Sequence, residues 1–156
     1  MHIRNINEIN NLIGRGQRVL GLDLGTKTIG LALSDVERIV ATPYKSLSRK
    51  KFSLNAKELK VITKSENVGA LIIGLPMNMD GSFGPAAQSI KDYSKQLAHE
   101  DFALISLWDE RLSTVAVEKI MIQADLSRKR RSQIVDKLAA TFILQGALDL
   151  MSTNNT

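Results

Sequence analysis

The feature that most limits how this chain can fold is a change of rhythm near residue 50. Before it, short apolar runs follow one another across turns; after it, stretches of helical composition separate each apolar run from the next. Strands joined by tight turns pair antiparallel, whereas strands pointing the same way need a crossover of a dozen or more residues, usually a helix. The sequence therefore predicts an α/β fold with one mixed sheet. Its first three strands are antiparallel, its later strands parallel, and helices cover both faces.

Residues 19–24 read as a buried strand, Gly25 to Thr28 as a turn, and residues 29–34 as the returning partner. Residues 39–41 are the expected third strand, running toward Pro43. Helix is expected over 53–66 and 85–99, strand over 70–73 and 103–108, and two long helices over about 113–124 and 132–150. Ile3, Ile6, Ile9 and Ile13, spaced by threes and fours, predict one apolar stripe on a short helix ending at Gly14 and Gly16. The 156 residues fit one domain. We expect a helical extension over 1–17, the domain proper over 18–151 and a small, polar, flexible tail over 152–156.

Composition removes several chemistries. The chain has no cysteine, which excludes disulfides, thiol nucleophiles and cysteine-ligated metal sites. With two histidines in the whole chain, a metal would be held mainly by carboxylate oxygens, which suits magnesium or manganese. The net charge of +5 favours polyanionic partners, nucleic acid first among them. No apolar run reaches the roughly 18 residues that span a bilayer, and the N-terminus lacks the apolar core of a signal peptide. A cytoplasmic protein without a membrane partner is expected.

Three acids stand where a structural sequence would seldom put one. Asp23 lies within the apolar run 19–24, and a buried carboxylate is costly unless paired or bound to a cation. Gly21 and Gly25 flank it at alternate positions, leaving that side open to close approach. A turn-forming aspartate bonded to the following amides is the structural alternative. Asp109 and Glu110 directly follow an apolar strand, and strand ends in α/β sheets are where ligands are met. Asp109 could cap the following helix, so Glu110, with its longer reach, is the preferred ligand. Asp136 falls one position from the apolar stripe Val135, Ala139, Phe142, Gly146 and Leu150 of the last helix, widened by Leu138 and Ile143. A first-turn aspartate favoured by the helix dipole is its structural reading. Acids gathered closely repel one another unless a cation sits among them. One or two divalent ions held that way activate water and stabilise the leaving oxygen of a phosphodiester. Arg49 to Lys51, expected in a loop, and Arg128, Lys129, Arg130 and Arg131, expected between the last two helices, supply phosphate contacts.

These residues resemble the YqgF (RuvX) family, described as Holliday junction resolvases. The resemblance runs from about Arg18 to Leu150. It is carried by Gly21-Leu22-Asp23-Leu24-Gly25-Thr26-Lys27 with Ile29-Gly30-Leu31-Ala32, by Gly74-Leu75-Pro76-Met77-Asn78-Met79-Asp80-Gly81, by Asp109-Glu110-Arg111-Leu112-Ser113-Thr114, and by the segment from Asp136 to Leu144. Four motifs in order make it specific. It implies a ribonuclease-H-like fold with Asp23, Glu110 and Asp136 as catalytic and metal-binding acids. It also implies that Lys27, Asn78, Arg111 and the run from Arg128 to Arg131 contact substrate. The implied role is 5′-end maturation of the small-subunit (16S) ribosomal RNA precursor, with junction resolution as the older assignment. Precursor ribosomal particles would be partners, and the chain would act as a monomer or homodimer. Thr28 departs from the family, which usually carries a second basic residue there, and the stripe from Ile3 to Ile13 lies outside the match.

Two other classes remain. Asp23-Leu24-Gly25-Thr26 also resembles the first phosphate loop of the actin, Hsp70 and sugar-kinase ATPases, which enclose their nucleotide between two such domains. A non-catalytic module binding nucleic acid or the ribosome would tolerate Asp23→Asn.

Overall fold

The computed structural model describes residues 3–153, except for the side chains of residues 114–120 and 136. Strand β2 (Arg18–Leu24) pairs antiparallel with β3 (Thr28–Ser34), and β3 with β4 (Ala41–Ser48). On the other side β2 runs parallel to β5 (Val68–Leu75), β5 to β6 (Leu104–Asp109), and β6 to the two-residue β1 (Ile3–Arg4). The order across the sheet is β1-β6-β5-β2-β3-β4. Helix α2 (Phe52–Ser65) and helix α3 (Pro85–His99) make the crossovers that the parallel strands require. The chain closes with α4 (Glu110–Gln123) and α5 (Arg128–Thr153). The expected mixed sheet is what forms.

Each face of the sheet carries its own core. Leu20, Leu22 and Leu24 of β2 alternate to one side, where they meet Leu71 and Ile73 of β5, Leu59 of α2 and Leu97 of α3. On the other side Val19, Ala70 and Ile72 lie beneath Ala140, Ile143, Leu144 and Ala147 of α5. Every residue of β5 is buried, which explains its unbroken apolar sequence: a central parallel strand is covered on both faces. Each of Leu71, Ile72 and Ile73 is fully buried, contributing about 1.5–3 kcal/mol of transfer free energy.

Helix α5 lies very close to the sheet because glycines leave room for it. A Cβ on Gly21 would stand 2.7 Å from Leu144 Cβ and 3.0 Å from the Ala140 carbonyl oxygen. A Cβ on Gly146 would stand 2.6 Å from the Trp108 ring. The helix therefore runs against β2, its earlier residues over the later residues of the strand.

Several local expectations are corrected. The segment read as one helix from Ile3 is divided: residues 3–4 form β1, a 3₁₀ turn spans Ile6–Glu8, and helix α1 covers only Ile9–Leu12. Extending Ile3 and Arg4 gives the open edge of β6 its hydrogen-bond partner, while Ile6 and Ile9 keep helical spacing and fill the α5-side core. Strand β4 begins where the expected third strand ends. One extra residue, Tyr44, bulges between the pairs Leu31–Lys45 and Ala32–Pro43. The buried row of α5 is Ala140, Ile143, Leu144, Ala147, Leu148 and Met151, about one position round from the predicted stripe, and Leu150 is exposed. The polar tail expected from 152 is still helical through Thr153, and residues 154–156 lie outside the described residues.

Candidate active site

Parallel strands bring their carboxyl ends to one side of the molecule, so the last residues of β2, β5 and β6 lie side by side. Asp23 is the penultimate residue of β2. Alternation sends it to the face of Val19 and Gly21, under α5. Its partner across the antiparallel pair is Gly30, where a Cβ would stand 3.7 Å from Asp23 Cβ and 3.8 Å from Ala140 Cβ. The glycine thus leaves open floor beside the carboxylate.

Glu110 opens α4 immediately after β6. Its carboxyl group leans on the backbone of Gly74, near the end of β5: a Cβ there would lie 2.9 Å from Glu110 Oε1 and would overlap Ile143. A side chain at position 74 would force the Glu110 carboxyl and the Ile143 terminal methyl to shift. Burial pushes the Glu110 carboxyl up from 4.5 to about 7, helped by the negative charge of Asp23 and then of Asp109.

Asp109 has a different occupation. It accepts from the Arg111 backbone N–H at 3.0 Å, which caps the start of α4, and from Arg111 Nη2 at 2.6 Å. Arg111 Nε adds bonds to both carboxylate oxygens. Hydrogen bonds from Arg111 hold Asp109 below the usual carboxylate range. Of the two adjacent acids, Glu110 is the one facing Asp23. The sequence left that choice to side-chain reach.

The third expected acid, Asp136, sits on α5 one helical turn before Ala140, the residue packed over Gly30. The side chain of Asp136 lies outside the described residues. Among the described residues no three His, Cys, Asp or Glu side chains gather as a metal cage. The donors are oxygens only, and Glu110 is disfavoured as an anion by burial and by Asp23. A hard divalent cation fits that pair, because its charge offsets both costs.

The residues expected to touch substrate divide into two groups. Lys27 is exposed on the β2–β3 turn, and that turn is braced by Arg49, which donates to the Lys27 carbonyl at 2.8 Å and the Gly25 carbonyl at 2.7 Å. Arg128, Lys129 and Arg130 are exposed, while Arg131 reaches back to the Leu126 carbonyl. This basic run forms the first turn of α5 rather than a loop. Ser127 caps it, its carbonyl accepting from the Arg131 N–H and its hydroxyl from the Arg130 N–H. The other two are engaged within the protein. Asn78 donates its amide to Ser82 Oγ, and Arg111 holds Asp109 and donates to the carbonyls of Asn78 and Met79.

One feature had no counterpart in the sequence reading. A cleft of about 230 Å³ opens beside Asp23, between α5 and the outer strands, lined by Thr28, Gly30, Ser46, Lys137 and Thr141 among others. The i, i+4 spacing of Lys137 and Thr141, flanking the buried Ala140, was the available signal.

Comparison with known proteins identifies the family and the fold. The chain matches the RuvX family, described as Holliday junction resolvase, over residues 17–150. It is 52% identical over 150 residues to a protein of Gluconacetobacter diazotrophicus described as "Putative pre-16S rRNA nuclease", covering 96% of this chain and 97% of that one. A protein of Paramagnetospirillum magneticum with the same description is 52% identical over 137 residues, 88% of each chain. Among solved structures, T. thermophilus RuvC in complex with Holliday junction substrate superposes with a TM-score of 0.58 at 13% identity, covering 88% of this chain and 96% of that chain. That likeness establishes a RuvC-like ribonuclease H fold. With the family's match spanning nearly all of the sheet and α5, this chain belongs to the RuvX family.

Proposed function

We propose that the chain is a divalent-metal-dependent nuclease that hydrolyses phosphodiester bonds in structured nucleic acid, its substrate being the 5′ end of the 16S ribosomal RNA precursor. The observation that carries this reading is the carboxyl pair Asp23 and Glu110 at the ends of β2 and β6, the two parallel strands that flank β5, with Glu110 raised to about 7 by burial and then by the charge of Asp23. The nuclease description of relatives about half identical over nearly the whole chain supports the substrate.

Asp23, Glu110 and Asp136 would hold magnesium or manganese, which when bound supplies an activated water and a counter-charge for the leaving oxygen. The chain's own residues do the rest. Strand pairing fixes the backbone of Asp23, and the Glu110 carboxyl is seated against Gly74, so both acids start from positions set by the sheet. Arg111 pairs with Asp109, which occupies that carboxylate apart from the pair, and it tethers the 76–84 loop at the rim. Lys27 and the run Arg128 to Arg130 lie exposed to meet flanking phosphates. Asn78 and Arg111 would then act by shaping the rim.

The test is cleavage of a 16S precursor fragment and a four-way DNA junction, side by side, with magnesium or manganese. Cutting of the precursor that stops in chelator and in Asp23→Asn is the expected result. Cutting confined to the junction would overturn the substrate, and undiminished cutting in chelator would overturn the mechanism.

A further inference from the structure

The cleft beside Asp23 has a composition unlike the rest of the surface. Its floor is Gly30, which contributes no side chain; Asp23 lines it on one side and Lys137 on another. Thr28 and Ser46 contribute from strands β3 and β4, and Thr141 from α5. The lining thus carries two lysines, Lys137 on α5 and Lys45 on β4, four hydroxyl-bearing side chains counting Tyr44, and an acid already placed in the reaction site, with apolar Leu31 and Pro43 between them. Hydroxyls both donate and accept, so they match phosphate oxygens as donors and sugar hydroxyls as acceptors. A lysine supplies a point charge for phosphate.

We propose that this cleft is the subsite for the sugar–phosphate unit next to the bond being cut, with Lys137 on its phosphate and the hydroxyls of Thr28, Ser46 and Thr141 on its sugar and phosphate oxygens. The inference rests on the nuclease reading for its location but not for its chemistry. A cleft of about 230 Å³ is the size of one such unit. One backbone of the nucleic acid therefore lies in this cleft, between α5 and the outer strands. Gly30 is a glycine because a side chain there would stand where the sugar lies.

The test is binding in chelator, where no cleavage occurs, read by fluorescence anisotropy on a labelled single-stranded RNA oligonucleotide and its DNA counterpart across a salt series. Lys137→Ala should weaken binding several-fold and reduce the log–log salt slope by about 0.7, the loss of one single-strand phosphate contact. Gly30→Ala adds a methyl group at ordinary contact distance from Asp23 and Ala140, so it folds, and it should weaken binding by filling the floor. Lys95→Ala, an exposed lysine on α3, is the control for charge alone. Thr141→Val removes one hydroxyl and should weaken binding: loss confined to RNA assigns that hydroxyl to the ribose 2′-OH, and equal loss on both assigns it to phosphate. Unchanged affinity and slope in Lys137→Ala, or an equal change in Lys95→Ala, would overturn the subsite. A wild-type protein that binds through this cleft yet cuts nothing with magnesium or manganese would retire the nuclease reading and leave the subsite standing.

Discussion

Replacing Glu110 by glutamine should make the metal-free protein more stable while abolishing cleavage. The carboxyl is pushed from 4.5 to about 7 in the fold, chiefly by burial and then by Asp23. Its folded value lies above its unfolded value. Between these two the folded state binds more protons than the unfolded state, so stability falls as pH rises through that window. The cost is absent below about pH 4.5 and complete above about pH 7. Unscreened, a shift of that size corresponds to about 3 kcal/mol. Partial solvent access at the rim reduces it to about 1–2 kcal/mol. Glutamine keeps the shape and removes the charge. Denaturant unfolding in chelator should therefore show Glu110→Gln more stable than wild type by about 1–2 kcal/mol near pH 8, with little difference near pH 4.5. Adding magnesium near pH 8 should restore stability to wild type and do little for the variant. A variant that loses stability near pH 8, or gains equally at both pH values, would refute the account of Glu110 as a buried, repelled acid.

Further outcomes follow from the same geometry. The acid limb of the cleavage pH profile should lie near 7 at low metal concentration and move to lower pH as metal is raised, because bound cation favours the ionised Glu110; a limb indifferent to metal would contradict this. Gly21→Ala places a Cβ 2.7 Å from Leu144 Cβ, so it should cost about 1–3 kcal/mol in thermal or denaturant unfolding and reduce cleavage as α5 lifts from the sheet. Arg111→Ala removes the partner of a partly exposed Asp109 and the tether of the 76–84 loop. It should cost about 1 kcal/mol, with faster amide exchange confined to that loop and the start of α4.

Much of this was legible before any coordinates, for identifiable reasons. Asp23 stood out because an acid inside an apolar strand needs a cause, and the mixed sheet followed from which strands had room for crossovers. What the sequence could not supply were contacts between distant residues. Asp109 and Glu110 are adjacent acids of similar chemistry, and only the reach of Arg111 back to Asp109 separates their roles. The N-terminal isoleucines carry helical spacing, yet the unpaired edge of β6 draws Ile3 and Arg4 into the sheet. The buried face of α5 lies one position from the expected stripe because both rows carry small and apolar residues, Ala139 and Gly146 on one, Ala140 and Ala147 on the other, and only contact with the sheet separates them. The cleft escaped notice for a related reason: Thr28, Ser46 and Thr141 look like ordinary surface residues until strand pairing and the helix bring them together.

The bulge in β4 has a bearing on how the protein behaves in a crowded setting. That strand is the outer margin of the sheet, and a flat margin is a template on which another chain can grow. Here the margin carries Pro43, which has no N–H to offer, the irregular step at Tyr44, and an exposed Lys45 directly after it. Many copies assembled along one polyanion would be pressed together margin to margin, and each would refuse the other a seventh strand.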